Sequence, residues 1–219
     1  MAVRLISSRV KLLKLTDKSE RVSPLIPNFI THYHLADKAP FLNLSDLSER
    51  ERASVLSELQ ERYRSEDGFK RQYGKRYMQL RQLTEARLRD LFISRSGKPQ
   101  RHSPHYFVLG KSFWFKNLHP NTREVRISLD YLRDKSVSFT YPDSFVSMGF
   151  MPEFSIKVAP QPYHEKVYLL NELPEVVAKF GLPQDDFSMQ YQNYSNEEFE
   201  KFIEVQVWDD SPLAWCNDC

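Results

Sequence analysis

The spacing of apolar residues changes once along the chain, and that change constrains the fold more than any other feature. Up to about residue 94, apolar side chains recur at intervals of three and four, which sets them along one side of a helix. Ser48 and Glu51 have the spacing of a capping box, and Leu56, Leu59 and Tyr63 continue that helix to a break near Gly68. A second helix is predicted over Phe69 to Ser94, with Phe69, Tyr73, Tyr77, Leu80, Thr84, Leu88 and Leu91 on one face, and Gly97 and Pro99 ending it. From Pro104 onward the pattern shortens to strand-like runs at His105–Leu109, Val125–Leu129, Val137–Tyr141, Lys166–Leu170 and Phe202–Trp208, with a short helix at Leu173–Phe180. Together with an early strand at Phe29–Leu35, this order predicts an α+β fold: two N-terminal helices packed on a mainly antiparallel sheet.

A chain of 219 residues with 41% hydrophobic residues can bury a core of its own, and no linker or repeat divides it. The expected organisation is a basic leader over residues 1–28 and a single domain over 29–219. Arg9, Lys11 and Lys14 interrupt any apolar stretch in the leader, which excludes a secretory signal, although Arg4, Ser7, Ser8 and Arg9 fit a mitochondrial presequence. No apolar run approaches the roughly 20 residues of a spanning helix, so no membrane partner is expected and the cytoplasm is the default location. The two cysteines, Cys216 and Cys219, exclude a disulfide framework and supply at most half of a zinc site. Charge is uneven: residues 62–101 hold twelve Lys/Arg against four Asp/Glu, and residues 185–219 hold one against nine, so the two regions are expected to attract each other.

Chemistry can sit in four places. In Phe202–Trp208, alternation puts Ile203, Val205 and Val207 on one face and Glu204 and Gln206 between Phe202 and Trp208 on the other. A carboxylate enclosed by two aromatics has its pKa raised and can act as a base or a charge stabiliser. Thr31-His32-Tyr33-His34 places both imidazoles on one face of the early strand; a metal there would need a third ligand, Asp37 or Glu204, and no metal is expected. In Val137–Ser144, Ser138 and Thr140 share a strand face with hydroxyls suited to a sugar, and Tyr141 follows as a further ligand contact. The loop Lys98–Tyr106 is basic and proline-bounded, with Arg101 available to a phosphate. With only six glycines, no glycine-rich phosphate cradle is present.

Thr31–His34, His105–Gly110, Ser138–Ser144 and Phe202–Trp208 resemble segments of an uncharacterised family of bacterial proteins of similar length. More distantly, an early strand histidine, a middle Ser-x-Thr strand and a late strand glutamate are similar to ADP-ribosyltransferases, including the DarT type that modifies DNA. That resemblance implies NAD as substrate, His32 or His34 as a contact to its ribose, Ser138 and Thr140 as supports and Glu204 as the catalytic carboxylate. Glu204-Val205-Gln206 carries one carboxylate where protein-modifying families show Gln/Glu-x-Glu, which leaves the acceptor open. The expected function is thus an enzyme acting on a nucleotide-like ligand, requiring an imidazole, Ser138 and Glu204 to converge on one cleft. The rival is a binding module in which the basic second helix engages nucleic acid or an acidic protein, with Tyr73, Tyr77 and Tyr106 exposed for stacking.

Overall fold

The computed structural model describes residues 25–149, 159–183 and 202–215. Most of the leader (residues 1–24) and both cysteines lie outside these residues. Among the described residues six strands form one sheet: β1 (Phe29–Leu35), β2 (His105–Leu109), β3 (Thr122–Ser128), β4 (Val137–Thr140), β5 (Tyr168–Leu169) and β6 (Glu204–Val207). Their order across the sheet is β3-β1-β2-β6-β4-β5, and every neighbouring pair is antiparallel. The helices are α1 (Glu49–Ser65), α2 (Tyr77–Ser94), α3 (Phe113–Lys116), α4 (Ser144–Ser147) and α5 (Leu173–Phe180). The chain is α+β, and no helix among the described residues is long and apolar enough to cross a membrane.

Alternation along the strands separates two faces. Ile30, Phe107, Leu109, Ile127, Val137, Phe139, Val205 and Val207 bury one face together with Leu173, Val176 and Val177 of α5. On the other face Leu88 and Phe92 of α2 pack with Met148, Val167 and Trp208; the Phe92 and Trp208 rings stack with centroids 5.8 Å apart. A third cluster joins Leu35 at the end of β1 to Leu59 of α1, Phe69 and Tyr73.

The capping box at α1 forms: Ser48 N–H donates to Glu51 Oε2 (3.0 Å) and Glu51 N–H to Ser48 Oγ (3.4 Å). The second helix starts at Tyr77 rather than Phe69. Phe69 and Tyr73 are drawn into the third cluster, beneath the Arg62 and Arg71 guanidinium groups at 5.3 and 5.1 Å from the two ring centroids. Their packing outweighs local helix propensity in a segment that also contains Gly74. The sequence reading also lacks two single-turn helices, α3 and α4, each capped by a side chain: Ser112 accepts from Phe115 N–H and Asp143 from Val146 N–H.

Candidate functional site

The central strand β6 carries the site. Its register aligns Glu204 with Val108 of β2 and Thr140 of β4, and Gln206 with Tyr106 and Ser138. These residues therefore share the face beneath α2, and a directed set of hydrogen bonds connects them. Trp208 Nε1–H donates to Ser138 Oγ (2.8 Å), Ser138 Oγ–H to Gln206 Oε1 (3.0 Å), and Gln206 Nε2–H to Thr140 Oγ1 and Glu204 Oε1 (both 3.2 Å). Gln206, Ser138 and Thr140 are fully buried. Their polar atoms serve one another, so their part is to orient the Glu204 carboxyl rather than to meet a sugar. Ser138→Ala strips partners from the Trp208 indole N–H and the Gln206 carbonyl together. It is expected to cost about 2 kcal/mol, measured by urea unfolding.

Glu204 is 8% exposed, and its pKa is pushed up to about 7. Burial is the largest cause and the neighbouring Asp143 carboxyl the next; Ser144, Gln206 and Arg81 act in the opposite sense. Asp143 is raised by burial, although the backbone N–H of Val146 partly stabilises its anion. Ser144 lies beside Glu204 and favours the charged form, yet no hydrogen bond of ordinary length reaches its buried hydroxyl. Two acids with raised pKa and an under-satisfied hydroxyl thus occupy one end of the site.

A hollow of about 850 Å³ opens over this end, a volume suited to a small ligand. Tyr77, Arg81 and Tyr106 border it near Glu204, and Tyr33, Trp114, Phe115 and Phe202 supply aromatic lining. The wall at Arg81 is densely hydrogen-bonded. Its guanidinium donates to Glu85 Oε1 (2.9 Å), Tyr77 Oη (2.9 Å), Asn43 Oδ1 (2.9 Å) and Ser45 Oγ (3.1 Å), and lies 4.8 Å from the Tyr106 ring centroid. Tyr106 Oη–H in turn donates to Glu85 Oε1 (3.2 Å).

The other expected site residues stand apart from Glu204. In the register of β1 against β2, His32 and His34 fall on the sheet face opposite Glu204, although both border the hollow, which residues of both faces line. His32 spends both nitrogens on backbone: Nδ1–H donates to Tyr106 O (2.9 Å) and Nε2 accepts from Phe41 N–H (3.2 Å). Burial lowers its pKa to about 4, so the ring is neutral. The His34 ring stacks 6.2 Å from His32, and its Nδ1–H faces the carbonyls of Leu35 and Lys38. His32, His34 and Glu204 thus border one hollow from opposite faces of the sheet, as period-two alternation dictates, while Ser138 does not line it. Tyr141 also lies on the α5 face, where its hydroxyl donates to Phe180 O (2.9 Å). Arg101 is not held out for a phosphate, because it pairs with Asp46 and Asp210 and donates to Ser103 O. The Arg101–Asp210 pair is one described link between the basic and acidic regions of the sequence.

Tyr73 and Tyr106 turn inward rather than offering stacking surfaces to nucleic acid. Among the described residues no group of three or more His, Cys, Asp or Glu is placed to hold a metal ion. Asp143, Ser144, Arg81 and Tyr106 escaped the sequence reading as partners of Glu204. Asp143 follows a proline and reads as a turn residue, and its nearness to Glu204 depends on β6 lying beside β4. Comparison with protein families, with curated proteins and with solved structures yields no match to this chain.

Proposed function

We propose that the protein is an enzyme acting on a nucleotide-like ligand in the hollow beneath α2, with Glu204 as its acid–base or charge-stabilising group. One observation carries the reading: a buried carboxyl, oriented by Gln206 and raised to about 7, at the wall of a hollow with cationic and aromatic sides. Its most concrete form is NAD-dependent ADP-ribosyl transfer. In that reaction the C1′–N bond to nicotinamide breaks, the leaving ring keeps the bonding electron pair, and an acceptor attacks C1′ as it loses a proton. Ionised Glu204 would stabilise the oxocarbenium-like centre and take that proton. His32 has no nitrogen to offer the ribose, so ligand contacts in this form come from the α2 side, from Tyr77 or Tyr106.

The test is nicotinamide release from NAD across pH 5 to 9. Activity that depends on ionised Glu204 rises with pH through about 7. Absence of both nicotinamide release and NAD binding rejects the ADP-ribosyl form. A rate that climbs instead near the ordinary carboxylate range removes Glu204 from the role.

A further inference from the structure

A second, open hollow of about 330 Å³ adjoins the first, and the two share Lys70, Asn117 and His119 on their borders. Lys116 and Thr122 also border it. Among the described residues no acidic side chain borders it. Among the described residues neither the Lys70 nor the Lys116 ammonium has a carboxylate partner. Asn117 Nδ2–H donates to Phe113 O and Thr122 Oγ1–H to His119 O, so the two ammonium groups supply the cationic charge of this rim.

Resting on the reading of the first hollow as a nucleotide-like site, we propose that its ligand is phosphorylated and that the anionic end lies in this second hollow between Lys70 and Lys116. The local field has the right sign. His119, whose ring is tilted against Phe69 with centroids 4.2 Å apart, has its pKa lowered to about 4 by burial and then by Arg71 and Arg62. The carboxylate felt there, Glu66, is engaged by Arg62 at 2.7 Å. Among the described residues the buried Nδ1 of His119 has no hydrogen-bond partner, so the ring is free to change tautomer and present a proton at Nε2. The layout then offers a carboxyl at Glu204 to the sugar of a nucleoside phosphate, aromatic lining at Trp114, Phe115 and Phe202 to its base, and cations at the adjoining rim to its phosphate.

Calorimetric titration with ADP and with adenosine, on wild type and on Lys70→Ser/Lys116→Ser, tests this. ADP is expected to bind about tenfold or more tightly than adenosine at low salt. That advantage should shrink with rising ionic strength and vanish in the double variant, with adenosine affinity unchanged. Equal affinity for the two probes, or an ADP advantage that survives the double substitution, overturns the phosphate seat and leaves the Glu204 reading standing. If wild type binds neither probe, the nucleotide-like reading falls, and the phosphate seat falls with it.

Discussion

Replacing Glu204 by Gln is expected to abolish turnover, by about 10³-fold, and to make the protein more stable above pH 7. The second effect follows from burial. An acid with an unfolded pKa of 4.5 and a folded pKa of about 7 binds more protons in the native state between those values. Stability attached to it is complete below pH 4.5 and is lost as pH rises through 7. By pH 8 the native state carries a buried anion, at a cost of up to about 3 kcal/mol. Glutamine keeps the acceptor for Gln206 Nε2–H but never ionises. Urea unfolding of the two proteins should give similar stability at pH 5 and a gap of about 1–3 kcal/mol in favour of the variant at pH 8. A gap that does not change with pH would mean that Glu204 titrates like an exposed carboxylate. Taking the difference between the two proteins removes the opposing contribution of His32 and His119, whose lowered pKa values cost stability as pH falls below 6.5.

Arg81→Ala is expected to cause the largest loss of stability, about 3–5 kcal/mol. The Arg81 and Glu85 side chains are 13% and 4% exposed, and the guanidinium satisfies groups on four separate residues. Truncation leaves the Glu85 carboxylate buried with only the hydroxyls of Ser45 and Tyr106. A fall in Tm of roughly 10 °C should follow for a domain of this size. Combining Arg81→Met with Glu85→Gln should recover about half of the loss, since no unpaired charge then remains. A double variant as unstable as Arg81→Ala would show that the packing of Arg81 over the Tyr106 ring, rather than charge, sustains the wall.

How much of this was legible in the sequence depended on the range of the forces involved. The capping box at Ser48, the strand at His105–Leu109 and the α5 helix ending at Gly181 are set by neighbours a few residues away, and local pattern found them. Helical spacing over Phe69–Arg76 does not extend α2, because Phe69 and Tyr73 pack against Leu35 of β1 and Leu59 of α1, residues of other elements. The same division runs through the site. Alternation within one strand was enough to place Glu204 and Gln206 together. Which face of β1 meets them is a matter of register between strands, and composition carries no record of it. Arg101 looked available because its partners, Asp46 and Asp210, are far from it in sequence.

The position of β6 has a consequence for how the molecule comes together. This strand is the last of the six in the chain, yet it separates β2 from β4. A growing chain that has reached β5 therefore holds, among the described strands, two half-sheets, β3-β1-β2 and β4-β5, whose facing edges are joined only through β6. Closure waits for a partner made after everything it joins, and its contacts span about a hundred residues on the β2 side. Assembly is set to be slow and all-or-none, and the acid at the heart of the hollow arrives with the segment that seals it.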